Sequence, residues 1–205
     1  MGTPKPNVYF DHAASSWPQP AEVIDAVVTA MAEAGGNPGR GAHRLSLAAA
    51  RVIASARSAV AELLGVPDDR NVILVSGCTF ALNLVLKGTL VPGDRVVVSS
   101  VEHNAVVRPL AVLRAAGVDV CVVRADTEGH IYPEDVERAL TSAPTRAVIC
   151  QHASNVTGVI QPIGDLADIA HEHGAVLVVD GAQSAGHVPV NLAALGADAY
   201  ACSGH

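Results

Sequence analysis

Three observations predict an α/β protein built on a mainly parallel sheet flanked by helices. Past residue 70, short β-branched apolar runs alternate with amphipathic segments of helical length. The runs are continuous rather than alternating, as in strands buried on both faces. Boundary signals fall between them: Gly117 and Gly174 close helical stretches and Pro133 opens one.

The elements follow in order. A turn-rich entry, Asp11 to Pro20, leads into a helix from about Ala21 to Ala34. Gly35 to Gly41, interrupted by Pro38, reads as a loop because glycine and proline break helices. A long helix runs from Ser46 to Leu64, with Ala48, Val52, Ala56, Val60 and Leu63 at helical spacing, and Gly65-Val66-Pro67 ends it. Strands are expected at Val72 to Val75, Arg95 to Ser99, Asp119 to Val123, Ala147 to Cys150, Val176 to Val179 and Ala199 to Cys202. Helices are expected near Phe80 to Gly88, Ala105 to Ala116, Pro133 to Leu140 and Ile163 to His173. Strand alternating with helix implies a largely parallel sheet. Residues 1–70 form a helical N-terminal arm and residues 71–205 the α/β domain.

Composition narrows the function classes. Half of the residues are hydrophobic and 16% are charged, which suits a globular chain and not a disordered one. The net charge is −7 with 13 basic residues and no basic run, so a nucleic-acid surface is not expected. The apolar runs are strand-sized, so no membrane span is expected, and the polar N-terminus lacks a signal-peptide core. A cytoplasmic location is the resulting expectation. Cys78, Cys121, Cys150 and Cys202 are scattered without a C-x-x-C pair, which argues against a metal site or a disulfide framework.

Several residues at the predicted strand ends are candidates for chemistry. Ser76-Gly77-Cys78-Thr79 lies between a strand and a helix, where backbone N–H groups and the Thr79 hydroxyl suit a phosphate. Taken alone, that turn is better explained by ordinary capping, and it is neither a P-loop nor a dinucleotide fingerprint. Asp180 ends the run Ala175 to Val179, at the carboxyl edge where open α/β folds bind ligands; a turn aspartate beside Gly181 is the plainer reading. His103 follows the strand ending at Ser99, where a solvated side chain or a helix cap is the plainer reading and a catalytic group the alternative. Asn155 precedes Gly158 in a turn after another strand.

Taken together, these pieces resemble one family. Glu102-His103-Asn104-Ala105-Val106, Asn155 in Ala153 to Gly158, Val178 to Ser184 and Ala199 to His205 are similar, in order and spacing, to the class V aminotransferase-fold enzymes that use pyridoxal 5'-phosphate. Cysteine desulfurases and selenocysteine lyases are the nearest branch, and Val8 to Ser15 and Asn37 to His43 resemble their opening segment and substrate-mouth loop. The resemblance implies the large domain of PLP-dependent transferase fold type I, with a mixed, mainly parallel sheet of seven strands, incomplete at its C-terminal end. It implies that Cys78, Thr79, Ser203 and His205 bind the cofactor phosphate, His103 stacks on its ring, Asn155 and Gln183 meet its phenolic oxygen and Asp180 faces its pyridine nitrogen. It places His12, Arg40 and His43 near the substrate mouth. In the family, Ser-Gly-His is followed by the lysine that carries the cofactor as a Schiff base; here the sequence ends at His205, and its lysines are Lys5 and Lys87.

The activity so implied is conversion of L-cysteine to L-alanine and persulfide sulfur, in a homodimer that passes sulfur to an acceptor protein. Without the lysine the chain alone is expected to be inactive, and its uncovered sheet edge to promote association. Class V transamination, selenocysteine cleavage and epimerisation use the same residues. A non-catalytic cofactor-binding or interaction module is the remaining alternative.

Overall fold

The structure, a computed structural model, describes residues 8–204. The chain falls into two compact units, one ending at Ala59 and one running from Val60 to Gly204. The first contains α1 (Ala21–Glu33), which starts directly after Pro20, and most of α2 (Arg44–Leu64). His43 Nδ1 accepts the Ser46 N–H at 3.3 Å where α2 begins. No residue of α1 is buried, and its apolar Val23, Val27 and Met31 are exposed. The stripe expected on α2 is offset by about one position. Val52 and Leu63 are exposed, whereas Ala49, Ala61 and Leu64 are buried.

The second unit carries the sheet. A 3₁₀ turn at Asp69–Asn71 is followed by α3 (Cys78–Thr89), β1 (Arg95–Ser99), α4 (Asn104–Ala115), β2 (Asp119–Val123) and α5 (Pro133–Ser142). Then come β3 (Ala147–Gln151), α6 (Ile163–Glu172), β4 (Val176–Asp180), α7 (Leu192–Leu195) and β5 (Ala199–Ala201). The strands form one parallel sheet in the order β2-β1-β3-β4-β5.

One expectation needs correction. The sheet has five strands among the described residues, all parallel, in keeping with the mainly parallel sheet expected. Val72 to Val75 is not one of them: Val72 is extended, but the segment pairs with no described strand, and Ile73 is 69% exposed. β-branched sequence favours a pleated surface only where a neighbouring strand supplies the ladder and the packing. The sequence pattern also missed α7, a single turn whose Asn191 side chain caps the Ala194 N–H at 3.3 Å.

Each face of the sheet is buried under its own helix pair. Val96 and Val98 of β1, Ala147 and Ile149 of β3 and Val178 of β4 pack with Leu82 and Leu86 of α3 and Val106 and Leu110 of α4. The intervening Val97, Val148, Leu177 and Val179 pack on the opposite face with Val136 of α5 and Leu166 and Ala170 of α6. Strand residues alternate between the two sets because successive side chains point to opposite faces. At the amino end, Arg95 donates to the Ala139 carbonyl at 2.8 Å and the Thr145 hydroxyl at 2.9 Å, which fixes the end of α5 to β1. The chain first winds from β1 to β2 and then crosses back to β3, so the sheet has a topological switch point between β1 and β3. Ligands of open α/β sheets bind outside the carboxyl ends of the strands at such a point.

Candidate active site

Four predicted site residues follow directly from strand ends at the carboxyl edge. Asp180 is the last residue of β4, Gln183 lies three residues beyond it, Ser203 follows β5, and His103 follows β1 after a short turn. Asn155 comes four residues after β3, in a loop ordered by Ser154, whose hydroxyl accepts the Val156 and Thr157 N–H groups, each at 3.2 Å. Asn155 is exposed; Gln183 and Ser203 are half-buried. His205 lies outside the described residues.

The turn entering α3 is open. Gly77 has φ of +145°, a backbone that side chains rarely adopt, and a Cβ built there meets nothing within 4 Å. No side chain caps this helix. The first-turn N–H groups of an α-helix have no intrahelical partner, and together with the helix dipole they favour an anion. Thr79 is exposed in that first turn, which leaves its hydroxyl accessible.

Cys78 reaches the site by a different route from the one expected. Beyond any part its backbone N–H plays, its side chain is buried and its thiol donates to Asp180 Oδ1 at 3.5 Å. The Ala182 N–H donates to the same oxygen at 3.0 Å. Burial, followed by the neighbouring Asp180 carboxylate, pushes the Cys78 thiol well above its ordinary range. Cys202, raised by burial and then by Asp180, completes a group of two protonated thiols around one carboxylate. Thiols of this kind are inert as nucleophiles. Asp180 is 4% exposed, and among the described residues no Lys, Arg or His forms an ion pair with it. A buried carboxylate without a cation partner is costly unless a ligand supplies the positive group.

His103 caps α4. Its Nδ1 accepts the Ala105 N–H at 3.1 Å, which places any single ring proton on Nε2 and fixes the imidazole plane, while the residue stays exposed. Beneath it is a group that sequence reading did not single out. The Glu102 carboxyl is sealed from solvent although the residue as a whole is half-buried, and burial pushes its pKa up to about 7. A carboxylic acid between a strand end and a candidate histidine was the available signal.

Tyr200 supports the β4 edge from below. Its hydroxyl is 2.6 Å from that of Ser184, and a Cβ on Gly181 would collide with its ring. Gly181 is therefore set by close approach, with no left-handed backbone involved. His152, T-shaped to Tyr200 at 6.4 Å, has its pKa lowered by burial.

The substrate-mouth candidates belong to the first unit. His12 packs edge-on to Tyr9 at 4.9 Å, His43 caps α2, and Arg40 is exposed. An open concavity of about 520 Å³ lined by Leu63, Leu64 and residues 186–191 is separate from the strand-end residues. Among the described residues no cluster could hold a metal ion, and no helix is long and apolar enough to cross a membrane.

This arrangement has known counterparts. The class-V aminotransferase family profile matches residues 8–205. The chain belongs to the class-V aminotransferases. It is 40% identical over 200 residues to a probable cysteine desulfurase of Methanothermobacter thermautotrophicus, covering 97% of this chain and 49% of that protein. A probable cysteine desulfurase of Vibrio cholerae is 38% identical over 205 residues, covering 98% of this chain and 50% of that protein. The apo cysteine desulfurase of Thermococcus onnurineus NA1 superposes with a TM-score of 0.88 at 34% identity, over 97% of this chain and 50% of the other. SspA, solved in complex with cysteine, gives a TM-score of 0.88 at 28% identity, over 96% of this chain and 57% of the other. The chain thus spans about half the length of the class-V relatives it matches.

Proposed function

We propose that this chain carries the cofactor-binding part of a pyridoxal-phosphate-dependent cysteine desulfurase acting on L-cysteine. The observation that carries the reading is Asp180, a buried carboxylate at the carboxyl edge with two donors on one oxygen and no ion-pair partner among the described residues. Such a group suits a protonated ring nitrogen, and the open, uncapped start of α3 suits a phosphate. When bound, pyridoxal phosphate supplies an electron sink for bonds breaking at the amino acid's α-carbon.

The chain's own residues have separable tasks in this reading. The α3 N-terminus and the Thr79 and Ser203 hydroxyls bind the phosphate, joined by His205. His103 presents a ring whose plane is already fixed by its cap. Asn155 and Gln183 offer amide donors to the ring oxygen. Asp180 keeps the ring nitrogen protonated, and Cys78 and Ala182 orient its Oδ1. His12, Arg40 and His43 contact substrate at the mouth, with residues 1–70 as the arm that brings them and residues 71–205 as the cofactor domain. Desulfuration is favoured over the other class V reactions by the named relatives and by the cysteine bound to SspA. A homodimer, a sulfur-acceptor protein and a cytoplasmic setting belong to the same reading. The four free cysteines fit a reducing compartment.

The test is a titration of the purified protein with pyridoxal phosphate, followed by the absorbance and fluorescence of the bound cofactor. Binding should be saturable and should weaken by roughly tenfold or more in Asp180→Ala, the loss of a charge-assisted contact. Equal binding by the variant would refute the role of Asp180, and no binding at all would refute the cofactor. Alanine and sulfide release from L-cysteine by a full-length form, measured against keto-acid formation, separates desulfuration from transamination.

A further inference from the structure

The His103 loop is held by a buried clamp at the switch point of the sheet. Glu102 Oε1 accepts the Gln151 backbone N–H at 2.8 Å and also the Ser99 hydroxyl. The Gln151 side chain, 2% exposed, donates back to the Val101 carbonyl. Gln151 is in turn the register partner of Asp180 across β3 and β4. One acid and one amide therefore join three strand ends: Ser99 of β1, Gln151 of β3 and, through the ladder, Asp180 of β4.

A glutamine at position 102 would fill the same space without a charge, so the acid calls for a reason. Glu102 Oε2 is buried and has no hydrogen-bond partner. The titratable groups facing the carboxyl are Cys150 on β3 and Asp180 on β4, neither of them cationic. An ionised carboxylate would put charge on an oxygen without a donor, close to a second carboxylate, whereas a protonated one leaves only a neutral hydroxyl there. Burial moves the group toward neutrality, in keeping with that geometry.

We propose that Glu102 is a positioning residue of the site, a proton-bearing clamp that locks the His103 loop to the strand ends carrying Gln151 and Asp180. In its protonated form the clamp is closed. Ionisation strengthens the two bonds at Oε1 but leaves a charged Oε2 without a donor, close to Asp180. That oxygen can be satisfied only if the side chain turns toward water, and the turn releases the hold on residues 101–103. The site then loses its alignment as pH rises, because the loosened loop carries His103. The proposal rests on the pyridoxal-phosphate reading only for its consequence, since the clamp itself is testable without cofactor.

The experiment is NMR on the cofactor-free protein with ¹³C-labelled glutamate side chains and ¹⁵N-labelled backbone, titrated from about pH 4 to about pH 9. One glutamate carboxyl should titrate near neutrality and vanish in Glu102→Gln. The Val101 and Gln151 amide shifts should inflect at the same pH in the parent, and that inflection should be lost in the variant. If every glutamate titrates in the ordinary carboxylate range, or if those amides do not follow Glu102, the proposal fails. In a second arm, pyridoxal phosphate affinity should fall through the Glu102 midpoint in the parent, whereas Glu102→Gln should show no such step. Glu102→Ala, folded by circular dichroism, should bind more weakly at every pH; parent-like binding by it would also overturn the clamp. A parent that binds no cofactor refutes the proposed function, and the NMR arm still decides the clamp.

Discussion

At the residue scale, two positions carry consequences that burial alone would not reveal. Gly181 admits the Tyr200 ring so closely that a methyl group there must displace it. Gly181→Ala should cost about 1–3 kcal/mol, read by urea unfolding, because overpacking forces neighbours off their rotamers. Little change would mean that Tyr200 rotates away freely, in which case its hydrogen bond to Ser184 should also be lost. Glu102 makes stability depend on pH. Its folded pKa of about 7 lies above the ordinary value of 4.5, so the folded state binds the proton more tightly than the unfolded chain. The contribution is complete below about pH 4.5 and is lost as pH rises through about 7, on the order of 3 kcal/mol in all. Unfolding free energies at about pH 5 and about pH 8 should show this decline in the parent and a smaller one in Glu102→Gln. Asp180 and His103 were legible as candidates because polar residues ending apolar runs stand out. Glu102 and Gln151 were not, since their importance lies in a contact between residues 49 apart.

At the element scale, β1 and β2 were legible to the residue, and β3 and β4 extend one residue further than the apolar run, to Gln151 and Asp180. Apolar content marks where a strand is buried; the polar residue completing the ladder has to be seen in its pairing. Val72 to Val75 shows the converse, a strand-like sequence without a partner. Ile73 and Leu74 are exposed, so Ile73→Lys should change stability by no more than about 0.5 kcal/mol in urea unfolding. A loss of core-residue size would show that this segment packs in solution. Among the described residues, β5 is paired on one side only, beside β4. Exposed apolar side chains and an unpaired strand edge favour association. Sedimentation of the parent should therefore reveal self-association that Ile73→Lys weakens, and a strictly monomeric parent would count against it.

At the scale of the molecule, the second unit is a sheet between two independent helix layers. Leu82 and Leu166 are fully buried in different layers, with β-strands between them. Each substitution to Ala should cost about 2–5 kcal/mol, and the double variant should equal their sum within about 0.5 kcal/mol, because separated sites couple weakly. A large coupling energy, measured by urea unfolding of the cycle, would indicate that the sheet transmits strain between faces. The sequence by itself determined the α/β class, the succession of strand and helix, and the family to which the chain belongs, because periodicity and motif order are local properties of the chain. Only the tertiary structure decided the strand order, the switch point between β1 and β3, the absence of a ladder at Val72 to Val75, and the convergence of Cys78 and Ala182 on Asp180. Those depend on hydrogen bonds and burial between residues distant in sequence, which no local pattern encodes.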